Sequence, residues 1–252
     1  MHFLSKSFRF LNGLVLFALY GRRIHLASVL RGKRVAIVGA ANSAYHTGKG
    51  AWIDGFDYVI RINRAPYVLQ LGEWNKDIGT KTDILFHSFY ENDRSGGGPL
   101  DFSLYDSLQI RYVVNPVADY SGYRVSFNFY KKYLLKRTTF LLPKEIYLRI
   151  GKPLRPFKPT IGFCALMSVL ETDFSELYIT GFTFFRTAFG DGYRDAVKEA
   201  SQVRKLIKDE GLHDPDLEFE VFSQLLKQHK SRNINLDTGL SAILAHEEES
   251  KK

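Results

Sequence analysis

Arg34-Val35-Ala36-Ile37-Val38-Gly39 opens the stretch that decides the fold. Its centre is Gly50-Ala51-Trp52-Ile53-Asp54-Gly55-Phe56-Asp57-Tyr58-Val59-Ile60-Arg61-Ile62-Asn63-Arg64-Ala65-Pro66. A short apolar run closing on glycine is how the first strand of an open α/β sheet reads when a ligand sits over its carboxyl end. Gly48 and Gly50 follow, where a missing Cβ lets backbone come close to a phosphate or a sugar. A second β-rich run, residues 57–63, delivers Asn63 at a strand end, where its amide can both donate and accept.

Downstream, Asp83-Ile84-Leu85-Phe86-His87 reads as a third strand and residues 88–99 as a polar, Gly-rich loop. Arg111-Tyr112-Val113-Val114-Asn115-Pro116 reads as a fourth strand ending on a turn. Residues 120–136 mix Tyr, Phe, Lys and Arg and suit a surface helix or an acceptor-side wall. Pro159-Thr160-Ile161-Gly162-Phe163-Cys164-Ala165-Leu166-Met167-Ser168-Val169-Leu170 is a second anchor. Thr160 is placed to cap a helix that carries Phe163, Leu166, Met167 and Leu170 on one face. The helix N-terminus then presents backbone N–H groups to an anion. Leu177-Tyr178-Ile179-Thr180-Gly181-Phe182 is a strand closing on glycine, residues 195–210 have helical spacing ended by Gly211, and 217–229 form one more helix. The segment from Ser231 reads as a solvated tail.

At 252 residues the chain fits one domain with a sizeable core, and its 45% apolar content is that of a globular protein. The 35 Lys and Arg outnumber the 27 Asp and Glu, a net +8 that suits nucleic acid, an anionic membrane face or an anionic substrate. No zinc-finger spacing, RNP string or basic helical block supports nucleic acid. A membrane surface together with a phosphate-bearing donor accounts for the charge more economically. Cys164 is the only cysteine, which excludes an internal disulfide, and no Asn-x-Ser/Thr sequon occurs. Both absences point to a reducing compartment.

In residues 1–30, Lys6 and Arg9 precede an apolar run over 10–20, and Arg22, Arg23 and His25 follow it. That run spans about 16 Å as a helix, against about 30 Å of bilayer hydrocarbon. Two readings stand side by side: a basic-flanked helix lying in a membrane interface, and a helix packed on the following domain. A membrane-spanning Golgi anchor is a third.

The string Ile53-Asp54-x-x-Asp57-x-Val59-Ile60-Arg61-x-Asn63-x-Ala65-Pro66, then Asp77-x-Gly79-x-Lys81-Thr82, resembles the large motif of the eukaryotic-type sialyltransferases, glycosyltransferase family 29. Residues 159–182 resemble the family's small motif, with Ile161 where the family has threonine. His213-Asp214-Pro215-Asp216-Leu217-Glu218 matches its His-x-x-x-x-Glu motif. The third motif is met only by Gly192-Tyr193-Arg194-Asp195, which lacks the family's histidine. Where the family's first motif cysteine is expected, Arg34 or its neighbour stands. Ala40 replaces the asparagine after the first glycine, making Asn42 a displaced candidate. Tyr90-Glu91 is the nearest match to a Tyr-Pro-Glu donor contact.

The resemblance implies a single-domain, Rossmann-like α/β fold: a GT-A-variant, mostly parallel sheet with helices on both faces. Residues 31–230 would form the glycosyltransferase domain, between the segment 1–30 and a tail 231–252. It implies transfer of sialic acid, or a related ulosonic acid, from a CMP-sugar to a glycan or glycolipid hydroxyl, with inversion and without a metal or other cofactor. His213 would be the general base, suited by a pKa near neutrality. Asn63, Asn42, Ser43, Thr160, Gly162, Gly181, Tyr193 and Tyr90 would bind the donor, with Glu218 and Arg194 in support. The expected location is cytoplasmic and peripherally membrane-associated, with the Golgi membrane as the alternative. Two rivals stand: a metal-dependent transferase using Asp214-Pro215-Asp216 as an Asp-x-Asp clamp, and a non-catalytic nucleotide-sugar-binding module. A dinucleotide dehydrogenase is weaker, because no G-x-G-x-x-G follows the first strand.

Overall fold

The computed structural model describes residues 2–92, 96–193, 204, 207 and 211–249. In chain order, helix α1 (His2–Tyr20) leads into strand β1 (Gly21–Arg23), short helix α2 (Leu26–Val29) and strand β2 (Arg34–Val38). Helix α3 (Gly50–Asp54) precedes β3 (Tyr58–Ile62), and α4 (Ala65–Leu71) and α5 (Asn75–Ile78) precede β4 (Ile84–Phe86). Then come α6 (Phe102–Ser107), β5 (Tyr112–Asn115), α7 (Tyr120–Tyr133), β6 (Thr139–Leu141), α8 (Lys144–Gly151), α9 (Ile161–Leu170) and β7 (Glu176–Thr180). Helix α10 (Pro215–Gln228), strand β8 (Ile234–Leu236) and helix α11 (Thr238–Glu249) close the described chain. The expected helix over 195–210 lies outside the described residues, apart from Arg204 and Ile207.

Among the described residues the strands form one eight-stranded sheet in the order β1-β6-β5-β4-β3-β2-β7-β8, and every pairing is parallel. Strand alternation sorts the apolar side chains between its faces. Val35, Ile37, Ile60 and Phe86 join the core built with α8, α9 and α10. Ala36, Val38 and Val59 face the opposite side, under α3, α4 and α5. Further along that face, Leu85 and Val113 meet the side chains of α1, α6 and α7. Helices therefore cover both faces, as a parallel sheet requires.

Most of the large-motif residues brace the sheet from within. Asp54 accepts from the Thr80 and Lys81 backbone N–H groups (both 2.9 Å) and from Thr80 Oγ1 (3.0 Å). Gly79 sits at φ +72° against that carboxylate, and a Cβ there would lie 2.3 Å from Asp54 Oδ1. Asp83 takes the Val59 N–H at 2.8 Å and pairs with Arg111 at 2.6 Å. Arg61 is fully buried and donates to the carbonyls of Ile78 (2.5 Å) and Lys81 (3.0 Å). Burial lowers its pKa to about 10, with Asp54 opposing, so it stays charged at neutral pH and ties the α5–β4 connection to β3.

The chain from Ser231, read as a tail, instead completes the sheet. Strand β8 pairs with β7, and Leu240 of α11 is fully buried. Helix α1 packs along α7: a Cβ on Gly13 would come 2.9 Å from the Lys131 Cα, and Arg9 donates to the Lys132 carbonyl at 2.8 Å. No helix among the described residues is long and apolar enough to cross a membrane.

Candidate functional site

The strand order reverses at β2. The chain runs from β2 through β3, β4, β5 and β6 on one side, then returns to place β7 on the other. A crevice opens at the carboxyl ends of strands at such a point. Gly39 and Gly181 close its floor: Gly39 N donates to Thr180 O at 2.8 Å and Ala41 N to Gly181 O at 2.9 Å. A Cβ on Gly39 would stand 2.2 Å from Gly181 O, so the two backbones meet only because neither residue has a side chain.

Asp237, just beyond β8, binds this floor from below. Its Oδ2 accepts from Gly181 N (2.8 Å), Thr180 Oγ1 (2.9 Å) and Ser43 Oγ (3.1 Å), while Oδ1 caps α11 through Leu240 N (2.6 Å). Ser43 therefore places its hydroxyl on Asp237. Asn42 is exposed, and its backbone N–H is bonded to the Ala188 carbonyl at 3.1 Å. The first turn is backed by residues 188–190, through an antiparallel bridge between Ala41 and Phe189 and a bond from Gly190 N to Ala40 O at 2.8 Å.

Asn63 stands at the end of β3, buried, with φ +49° in the left-handed region that asparagine tolerates better than most residues. Its Oδ1 accepts from Ser88 N at 3.0 Å, and Gly96 lies against its Nδ2. His87, wholly buried at the end of β4, fixes the neighbouring loop. Its Nε2 contacts Gly97 O at 2.8 Å and its Nδ1 accepts from Phe89 N at 2.9 Å. Those partners require a neutral ring protonated at Nε2. Burial drives its pKa down to about 4, against the opposing pull of the Gly97 carbonyl and of Glu91. Gly97 has no room for a side chain, since a Cβ would lie 2.3 Å from Ser88 Oγ.

The opposite wall is the N-terminus of α9. Thr160 caps it through Oγ1, which accepts from Phe163 N at 3.2 Å. Ile161 and Gly162 supply the first N–H groups of the helix, which have no partner inside it. Gly162 lies beside the Phe182 ring, a Cβ on it coming 3.2 Å from that ring, so the helix end abuts the chain leaving β7. Glu218 of α10 holds the cap from behind, accepting from Thr160 N (2.6 Å) and from Thr160 Oγ1 (2.8 Å). Burial raises the Glu218 pKa to about 8, with the two Thr160 bonds pulling the other way.

His213 belongs to the same wall. Its Nδ1 meets the Lys158 carbonyl at 2.7 Å, and Lys158 N donates to the Leu212 carbonyl at 2.9 Å. A carbonyl can only accept, so Nδ1 carries the proton and the basic lone pair is on Nε2. The segments 158–162 and 212–218 are thus stitched together at three points, which brings the second anchor and the His-x-x-x-x-Glu string to one place. Lys158 also pairs with Asp119, the cap of α7, at 2.8 Å.

The remaining expected residues divide. Tyr193 is buried beside Asn63 and donates its hydroxyl to Ile62 O at 3.3 Å. Tyr90 is half-buried against the core of α1, α6 and α7, and its N–H donates to Ser88 Oγ at 3.3 Å. Gly181 acts through its backbone, at φ +74°. Arg194 lies outside the described residues. The two carboxylates of Asp214-Pro215-Asp216 serve separate purposes. Asp214 caps α10 by accepting from Asp216 N and Leu217 N, whereas Asp216 pairs with Arg204 and with Arg186. That is a poor fit to a shared cation clamp.

Sequence reasoning missed His87 and Asp237. His87 ends a strand in the same way as Asn63, one strand over, and that parallel was the available signal. Asp237 precedes Thr238, Gly239 and Leu240 as a helix cap would.

Residues 23–94 match the family model for glycosyltransferase family 29 (sialyltransferase). No curated protein sequence matches the chain. Among solved structures, a mammalian sialyltransferase in complex with Gal-β-1-3GalNAc-ortho-nitrophenol is similar at 17% identity. The alignment covers 89% of this chain and 77% of that one, with a TM-score of 0.53. A second mammalian sialyltransferase structure is similar at 16% identity over 89% of this chain and 76% of that chain, with a TM-score of 0.54. Identities this low show a shared fold. The likeness of the chain is thus to sialyltransferase-type glycosyltransferases, in fold over most of its length and in sequence across residues 23–94.

Proposed function

We propose, for a chain with the fold of sialyltransferases and a family 29 sequence across residues 23–94, that it transfers sialic acid or a related ulosonic acid from a CMP ester to a glycan or glycolipid hydroxyl. The acceptor oxygen bonds to C2 of the sugar with inversion, and the bond from C2 to the phosphate oxygen breaks with its electron pair leaving on CMP. The acceptor proton passes to His213 Nε2. The phosphate charge that develops is met by the Ile161 and Gly162 N–H groups at the start of α9. Asn63 and the turn after β2 hold the nucleotide on the other side of the crevice.

The observation that carries this reading is the 2.7 Å bond from His213 to the Lys158 carbonyl, two residues before the Thr160 cap. It sets the tautomer that a base needs and fixes the ring to the segment that leads into the proposed phosphate site. No step as proposed needs a metal, and the separate engagements of Asp214 and Asp216 argue against the metal-dependent rival.

Isothermal titration with CMP-N-acetylneuraminate, CMP-Kdo and UDP-glucose tests the donor class. The chain is expected to bind a CMP-sugar and to discriminate against UDP-glucose. Asn63→Gly keeps the left-handed backbone but removes the amide, and is expected to weaken CMP-sugar binding about three- to tenfold, the worth of one neutral hydrogen bond. Failure to bind any CMP-sugar, or equal binding of UDP-glucose, would end this reading. CMP-sugar binding with no turnover would favour the binding module.

A further inference from the structure

Helix α1 uses only one of its sides to pack on the domain. Gly13, Leu16 and Phe17 face α7, with the Phe17 and Tyr130 rings 5.9 Å apart. The other side carries Phe8, Leu11, Val15 and Leu19, all more than half exposed and spaced for a single helical ridge. Leu14 widens it, whereas Phe10 packs edge-on against Phe127 of α7, with ring centroids 5.4 Å apart. Among the described residues this is the densest set of large apolar side chains left in water, of the kind that marks an interaction surface.

Every charged side chain on α1, β1 and α7 is basic, and Glu91 is an acidic neighbour paired with Lys132 of α7. The first acidic residue of the chain is Asp54, and none occurs between Tyr120 and Lys144. Lys6, Arg9, Arg22 and Arg23 lie at the two ends of α1, and α7 beside it adds Arg124 and Lys131. A second copy of this chain seated on the ridge would oppose these cations to their own equivalents. An anionic lipid surface instead accepts an apolar ridge about 5–10 Å deep and attracts Lys and Arg at its rim. The side committed to α7 must stay with the protein, which suits a helix lying in the interface.

We propose that the outward face of α1, with the cations of α1, β1 and α7, docks this protein on an anionic bilayer. The inference is independent of the transfer reaction, because it uses no residue of the crevice.

The full chain would be sedimented with vesicles of phosphatidylcholine alone and of phosphatidylcholine mixed with phosphatidylserine. Binding to the mixed vesicles is expected to be at least about tenfold stronger and to fall as salt rises. Leu11→Glu with Val15→Glu, both at exposed positions, is expected to reduce it about tenfold or more while circular dichroism and Tm stay unchanged. Arg22→Glu with Arg23→Glu is expected to remove most of the preference for phosphatidylserine. Equal binding to both vesicle types, or native-like binding by both double variants, would overturn the proposal. So would failure to bind vesicles at all, including the case where the native chain is a dimer by light scattering and Leu11→Glu with Val15→Glu makes it monomeric.

Discussion

His87 shows how one buried side chain can hold the loop beside the crevice, through its bonds to Gly97 and Phe89. Its ring is neutral in the fold, with a pKa near 4, whereas in the unfolded chain it titrates near its ordinary 6.5. Its contribution to stability is therefore fully present above pH 6.5 and is lost as the pH falls towards 4, because only the unfolded state takes up the proton on the way down. At about 1.4 kcal/mol per pH unit the loss reaches roughly 3 kcal/mol. Glu218 is the opposite case, a carboxyl held near pKa 8 by burial, and it gains stability as the pH falls through the same window. The His87 loss is therefore read as a difference: the stability advantage of the native chain over His87→Gln in chemical denaturation should shrink as the pH falls from 6.5 to 4. A difference that stays constant across that window would place the titrating group elsewhere. Asn63 was legible from its place at the end of an apolar run. The roles of His87 and Glu218 depend on partners 10 and 58 residues away in sequence, which no local pattern encodes.

Among the elements, the strands with a continuous apolar run were readable and the others were not. Strands β2, β3, β4, β5 and β7 each present a run of Val, Ile, Leu, Phe, Ala or Tyr, and their positions follow from that run. Strands β1, β6 and β8 are no shorter than β4, but none holds three apolar residues in a row within its bounds. The stretch containing β8 was further disguised by Glu247, Glu248 and Glu249, which make its end look solvated. Asp237 at the junction of β8 and α11 gathers four donors from three parts of the chain. Asp237→Ala would strand the buried Thr180 hydroxyl and the Gly181 N–H beneath the crevice. The expected cost is about 3 kcal/mol, or a Tm lower by roughly 6–12 °C. Asp237→Asn, which keeps two acceptor lone pairs, should recover part of it in a thermal melt. An unchanged Tm in Asp237→Ala would mean that α11 and β8 do not brace the floor.

Across the whole molecule, the large-motif string and the proposed catalytic residues occupy different places. Asp54, Gly79, Lys81 and Arg61 brace the α3–β4 region, and of the quoted string Asn63 is the residue that reaches the crevice beside the turn after β2. The opposite wall comes from the small-motif segment and the His-x-x-x-x-Glu string, joined through Lys158, Thr160 and Glu218. Sequence order separates these two strings by some 50 residues, and only the fold brings them within hydrogen-bond reach. The central claim is that His213 takes the acceptor proton while the donor is held by other groups. Turnover of a CMP-sialic acid donor by His213→Ala, measured beside the dissociation constant of that donor, tests it directly. The account predicts a kcat lower by about 10²–10⁴-fold with donor affinity changed by no more than about twofold. A kcat equal to that of the native chain, at unchanged affinity, would contradict it.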